Sequence, residues 1–388
     1  MSAAATALVA PDGAGGVGGI DIPPRDGSPG RFHASMAGYA PTPLRKAPAA
    51  AARLGVGEVL VKDESSRLDL PSFKMLGASY AVYRALLQHL GRDPEAVPTI
   101  EALRAELDHG ARPALSAATD GNHGRAVARM AKLLGLEALI YVPANTVQAR
   151  IDAIASEGAS VTVLDGGYDD TVRRSAADAS EECLVISDTS WEGYERVPGW
   201  VIDGYSTVFA ELEEQFERRP DVVVVPIGVG ALAAAVVAAV HGGPAPRPVI
   251  VGVEPVSAAC VLESVAAGRI TTLDHPQDSI MAGLNCPTPS RVAWPLVSRG
   301  IDVYVAVEDE RVPEAMRLLA RDGIIAGETG AAGLAGLLAL GDVPELSQAR
   351  AAASLGPQST VLLLSTEGAT DPDAYRRLTA EPAEPVEV

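Results

Sequence analysis

The sequence predicts an α/β protein: two open, twisted, mostly parallel sheets with helices on both faces. Three observations predict it. Short runs rich in valine, isoleucine and leucine alternate with segments whose apolar residues recur at helical spacing. The order strand, helix, strand is that of parallel sheets buried on both faces. At 388 residues the chain is longer than one core usually organises, so the alternation divides between two units.

Taken in order, the opening "MSAAATALVAPDGAGGVGG" has an apolar stretch but no basic segment before it, and it dissolves into Gly, Pro and Asp. It reads as a flexible tail over residues 1–30 rather than a secretory signal. From Val59, "VLVKDES" predicts a strand, and "SFKMLGASYAVYRALLQHL" a helix that begins at or just after Lys74. "GRDPEAVPTIEALRAELDHGARP" reads as surface connections around a short helix. "ALSAATDGNHGRAVARMAKLLG" follows as strand, glycine-containing loop and helix, and "EALIYVPAN", "RIDAIASEG" and "SVTVLDG" continue the alternation. A second series runs from "DVVVVPIGVGALAAAVVAAVHG" through "PVIVGVEP" and "DVYVAVEDE" to "TVLLLSTEG". The expected division is a larger domain from 31–85 and 195–378, a smaller one from 86–194, and a tail over 379–388. Ligands of such folds bind beyond the carboxyl ends of the strands, in the cleft between units.

Composition narrows the partners. A formal charge of −19 repels phosphate backbones and anionic lipid, so the expected partner is a small molecule rather than nucleic acid or membrane. Hydrophobic residues make up 47% of the chain, yet no apolar run approaches the roughly 20 residues that span a bilayer. Cys183, Cys260 and Cys286 are widely spaced and odd in number. They suit reduced thiols in a cytoplasm better than a disulfide framework. No CxxC or HExxH spacing offers a zinc site.

Four stretches can carry chemistry. In "VVVVPIGVGALA" a β-branched strand ends in Gly228 and Gly230 and enters a helix. Glycines let the backbone turn and approach an anion closely, while free N–H groups at the helix start point at it, so the turn can cradle phosphate. The same letters match a dinucleotide fingerprint, and Glu254 stands where a ribose-binding acid would. A nicotinamide-dependent oxidoreductase is therefore an alternative. "TDGNHG", Thr119 to Gly124, concentrates a hydroxyl, a carboxylate, an amide and an imidazole in one loop after a strand, although such residues also serve simply as turns and caps. "SDTSWEGY" holds Asp188, Trp191 and Tyr194, and by itself reads as a cap and a packed aromatic. "LLLSTEGATD" puts Ser365, Thr366 and Glu367 at the end of an apolar strand.

Together "DESSRLDLPSFKMLGASYA", "SAATDGNHGRAVA", "PIGVGALA", "IMAGLNC" and "STEGATDPDAYRR" resemble the fold type II pyridoxal-phosphate enzymes, the group of tryptophan synthase β and the threonine dehydratases. Within it the resemblance is greatest to the diaminopropionate ammonia-lyase branch. The match runs in the family's order from Pro43 to about Tyr375. It implies a tryptophan synthase β-like architecture with pyridoxal 5'-phosphate in the interdomain cleft, and a homodimer.

The resemblance implies roles residue by residue. Lys74, flanked by Phe73 and Met75, would join the cofactor's aldehyde carbon; apolar neighbours would favour its free amine, the only form that can attack a carbonyl. Asn122 would meet the cofactor's ring hydroxyl oxygen. The turn Gly228, Val229, Gly230, Ala231 would hold its phosphate, with Gly283 alongside. Ser365 or the adjacent Thr366 would meet the pyridine nitrogen; a neutral partner suits prompt elimination. Thr119, Gly121, His123 and Tyr194 are expected around the substrate.

Asp120 and Asp188 narrow the reaction. Asp120 would be a base on the face opposite Lys74, so that Lys74 takes the α-proton of the L-substrate and Asp120 that of the D-substrate. Asp188 would contact the substrate's β-amino group and keep it an ammonium, a better leaving group than the neutral amine. The implied activity is α,β-elimination of 2,3-diaminopropionate to an aminoacrylate, which hydrolyses to pyruvate and ammonia. A related lyase or a β-replacement enzyme acting on another β-substituted amino acid is the alternative within the family.

Overall fold

The computed structural model describes residues 5–10, 22, 27–119 and 121–380. Its strands are β1 (Ala5–Val9), β2 (Leu44–Lys46), β3 (Glu58–Asp63), β4 (Ala114–Ala118), β5 (Ala138–Pro143), β6 (Ser160–Leu164), β7 (Cys183–Val185), β8 (Val222–Pro226), β9 (Val249–Pro255), β10 (Val303–Val307) and β11 (Thr360–Ser365). Seven form one sheet in the order β1-β10-β9-β8-β11-β3-β2, and four form a second in the order β6-β5-β4-β7. Only the edge pairs, β1 with β10 and β2 with β3, are antiparallel. All other pairs are parallel. The two-sheet, mostly parallel α/β architecture is the one the alternation of segments predicts.

Burial explains why the central strands read as continuous apolar runs: every residue of β8, β10 and β11 is buried, as parallel strands covered on both faces require. The helix Glu328–Asp342 runs under the large sheet and is buried along most of its length. On the other side, the helices Lys74–Leu90 and Arg196–Gln215 cross closely through small residues. A Cβ on Gly204 would lie 2.6 Å from the Leu76 carbonyl oxygen, and one on Gly77 would lie 2.5 Å from the Tyr205 ring. Glycine is needed at both positions for the helices to approach this far.

The amino-terminal expectation needs correction. Within residues 1–30, read as a tail, Ala5–Val9 is an edge strand registered against Val303–Val307, and Ser28 begins a helix to Ala34. The stretch "ATALV" carries too little bulk to announce a strand; its order comes from completing the edge of β10 and burying Ala5. At the other end the helix Pro372–Thr379 reaches into the segment read as the carboxyl-terminal tail, and residues 381–388 lie outside the described ones. The short strands β2 and β7 were not separable from loops by pattern. No helix of the described residues is long and apolar enough to cross a membrane.

Candidate active site

The carboxyl ends of β4, β8 and β11 and the start of the helix Lys74–Leu90 converge on one cavity. Lining it are Phe73, Lys74, Asn122, Asp188, the turn Gly228–Ala231, Gly283, Thr366 and Glu367. The segment carrying Lys74 is held in place by backbone pairing to the end of β11. Phe73 N–H donates to the Thr366 carbonyl at 3.1 Å, Gly368 N–H donates to that of Pro71 at 2.9 Å, and Ser72 bridges Glu367.

Among the chain's four lysines only Lys74 faces this cavity. Lys46 and Lys132 are largely exposed, and Lys62 is fully buried on Glu211. Lys74 is the first residue of its helix. Its ammonium donates to Asp188 Oδ2 at 2.6 Å and stands 5.5 Å from the centre of the Phe73 ring. Tyr205, fully buried, packs on Phe73 at 4.7 Å between centroids. Burial pushes its phenol pKa well up, and the charge of Lys74 partly opposes the shift.

Asp188 is buried, which by itself would raise its pKa. The nearby charge of Lys74, and the hydrogen bonds from Lys74 and Tyr168, hold it well below the usual carboxylate range. Its second oxygen accepts from the Tyr168 hydroxyl at 3.2 Å. Thus Asp188 is a fixed anion set up to hold an ammonium, and the one it holds is that of Lys74.

In the second loop, Asn122 Nδ2 donates to Glu367 Oε2 in a short hydrogen bond. The Thr119 hydroxyl accepts from Gly121 N–H at 2.9 Å and Gly124 N–H at 3.0 Å, so it organises the loop. Behind them lies His123, fully buried, its Nε2 2.8 Å from the Ile186 carbonyl, which requires the proton on Nε2. Burial lowers its pKa, so it stays neutral. Gly121 has φ 155°, and a Cβ there would meet the Arg150 side chain at 3.1 Å. Asp120 lies outside the described residues.

The turn after β8 has the form of an anion cradle. Gly230 has φ 94° and caps the helix Ala231–His241, whose first N–H groups have no intrahelical partner. The segment around Gly283 closes one side: a Cβ on Gly228 would lie 3.1 Å from the Gly283 carbonyl oxygen and 3.2 Å from Cys286 Sγ. The hydroxyls of Ser365 and Thr366 are buried without a hydrogen-bond partner among the described residues, and Thr366 lines the same cavity.

Two sequence expectations fall elsewhere. Tyr194 stacks on Trp191 at 4.1 Å, donates to the Val185 carbonyl at 2.6 Å, and borders a different hollow, near Gln88 and Trp200. Glu254 is fully buried and accepts from Val261 N–H and Leu262 N–H, each at 2.8 Å. It caps the helix Cys260–Ala267 and is not available to a ribose, which removes the main support for a nicotinamide-dependent oxidoreductase. Conversely, Tyr168, Tyr205 and Thr329, the last also lining the cavity, were not foreseen, and Glu367 was noted without a role. No local motif marks the tyrosines; only the packing of distant helices and loops brings them in.

A family model described as pyridoxal-phosphate dependent enzyme matches residues 36–367. The chain belongs to this family. Diaminopropionate ammonia-lyase from Escherichia coli K12 is 37% identical over 361 residues, covering 90% of each chain. The crystal structure of the Escherichia coli enzyme in complex with D-serine superimposes with a TM-score of 0.88 at 34% identity, covering 97% of this chain and 96% of that one. A further structure of that enzyme, described as a complex with the aminoacrylate-PLP azomethine reaction intermediate, gives 0.86, with 97% of each chain covered.

The cofactor of this pyridoxal-phosphate enzyme is pyridoxal 5'-phosphate, and the cavity residues fit it. A single lysine, a glycine turn at a helix start and the unpartnered hydroxyl of Thr366 line one cavity. They match the three chemically distinct parts of the cofactor: aldehyde, phosphate and ring nitrogen.

Proposed function

We propose that this chain eliminates ammonia from 2,3-diaminopropionate; with one water the substrate gives pyruvate and two ammonia. The observation that carries the substrate is the buried Asp188 carboxylate on an ammonium at 2.6 Å inside the cavity. A cationic partner is the strongest compensation for a buried carboxylate. A substrate's β-ammonium can take over that role when Lys74 is engaged elsewhere, whereas the hydroxyl of serine cannot neutralise the charge.

Bound pyridoxal phosphate supplies an electrophilic aldehyde and a ring that withdraws electrons from Cα. In this reading Lys74 would hold the cofactor's aldehyde carbon and would serve as the base for the α-proton of the L-enantiomer. Asp120, adjacent in sequence to the Thr119 loop, is the base for the D-enantiomer. Asp188, oriented by Tyr168, keeps the departing nitrogen protonated. Gly228, Val229, Gly230, Ala231 and Gly283 would hold the phosphate, Thr366 or Ser365 would serve the ring nitrogen, and Phe73 and Tyr205 would keep water from the amine.

The division into a larger domain and a smaller one over 86–194 belongs to the same proposal, as do a homodimer and a cytoplasmic location, supported by the resemblance and by three buried cysteines, none in a disulfide. The direct test is pyruvate release over a panel of L- and D-diaminopropionate, serine, threonine and β-chloroalanine. Diaminopropionate should give the highest kcat/KM. A preference for serine, or product formation only when an external nucleophile is added, would overturn the assignment in favour of a dehydratase or a β-replacement enzyme. Asp120→Asn should cost the D-substrate far more than the L-substrate, and equal losses would refute the two-base scheme.

A further inference from the structure

Glu367 is 1% exposed and is held from several directions. Its Oε1 accepts from Thr329 N–H, in the first turn of the helix Glu328–Asp342, at 3.3 Å. Its main-chain carbonyl accepts from Gly327 N–H at 3.0 Å, and its backbone bridges Ser72. A Cβ on Gly330 would lie 2.4 Å from that same carbonyl oxygen, so the helix start packs directly on this residue. The remaining oxygen, Oε2, accepts the short hydrogen bond from Asn122 Nδ2. A side chain fixed after β11 of the large sheet thereby grips one that follows β4 of the smaller sheet.

We propose that Glu367 is a positioning residue that sets the orientation of the Asn122 amide toward the cofactor. This inference rests on the reading that Asn122 meets the cofactor's ring oxygen. Glu367 Oε2 stands as the acceptor of this bond, so it engages the nitrogen end of the amide. One N–H is then consumed by Glu367, and the second is directed into the cavity as a donor. Without the carboxylate the amide is free to turn over and present its own oxygen, an acceptor facing an acceptor.

The competing account is that Glu367 only caps the helix Glu328–Asp342. A cycle on the holoenzyme separates the two, with Asn122→Ala, Glu367→Leu and the double variant. It is read by the cofactor's dissociation constant, the position of its visible absorption band and the pH at which that band changes. A positioning role predicts that each single variant weakens cofactor binding by about 10-fold, that both displace the band and its titration in the same sense, and that the double variant is no worse than either. Losses that multiply, with a wild-type band in Glu367→Leu, would reduce Glu367 to a cap and overturn the proposal. An Asn122→Ala variant with unchanged affinity and band would overturn the reading of Asn122 itself, and the proposal with it. Should Glu367→Leu fail to fold, Glu367→Gln completes the same cycle. It keeps the volume and one acceptor oxygen, and its smaller loss must likewise vanish in the Asn122→Ala background.

Discussion

Lys74 Nζ and Asp188 Oδ2 stand 2.6 Å apart, with the lysine side chain 16% and the aspartate side chain 7% exposed. The pair joins the start of one helix to the loop after β7, more than a hundred residues on. In the proposed function, this fixed anion beside a single reachable amine is the source of both the chemistry and its selectivity. Asp188→Asn keeps the shape and removes the charge, so kcat/KM for diaminopropionate should fall by roughly 100-fold, the equivalent of about 3 kcal/mol for a charge-assisted bond. Turnover of serine, whose hydroxyl brings no charge, should fall much less. Parallel steady-state kinetics on the two substrates check this.

The close crossing of the helices Lys74–Leu90 and Arg196–Gln215 makes a packing prediction. At Gly204 the obstacle to a methyl group is main chain, the Leu76 carbonyl oxygen at 2.6 Å and Gly77 Cα at 2.9 Å. Gly204→Ala should destabilise the protein by about 1–3 kcal/mol. It should also lower kcat, because the helix that must shift carries Lys74. Denaturant melts together with kinetics test both parts.

His33 gives a pH dependence. It is fully buried between the Thr207 hydroxyl at 2.8 Å and the Leu76 carbonyl at 3.0 Å, and burial lowers its pKa from 6.5 to about 3. The unfolded chain therefore binds a proton that the folded chain refuses between pH 6.5 and 3. This contribution is complete above pH 6.5 and is lost as pH falls toward 3. Stability measured by denaturant from pH 7 down to 4 should decline less steeply in His33→Asn than in the parent chain.

Glu254 acts in the opposite sense. Burial raises its pKa from 4.5 to about 8 against the pull of two backbone N–H groups. Its contribution is full below pH 4.5 and is lost as pH rises through 8. Glu254→Gln should flatten the fall in stability between pH 6 and 9 without altering the cofactor's affinity.

How much of this was legible in the sequence follows from what kind of signal each residue leaves. Eight of the nine strands of five or more residues, the glycine turn at 228–230 and the lysine at a helix start are local, written in runs of a few letters. Phe73, Lys74, Asn122, Asp188, Gly228, Gly283 and Thr366 were all nominated before the fold was known, and they line one cavity. Tyr205 leaves no such trace, because its place beside Lys74 depends on Gly77 and Gly204 letting two helices meet. Tyr194 misled for the converse reason. It lies only six residues from Asp188, but its side chain turns away to stack on Trp191. Glu254 matched a fingerprint by position, and only its backbone partners reveal it as a cap.

The central claim is that Lys74 bears the cofactor covalently. Reducing the holoenzyme with borohydride and mapping its peptides by mass spectrometry tests it most directly. The account predicts the pyridoxyl-phosphate mass on the peptide containing Lys74, and no such adduct or visible absorption band in Lys74→Ala. A stable adduct on Lys46, Lys62 or Lys132, with Lys74 unmodified, would contradict it.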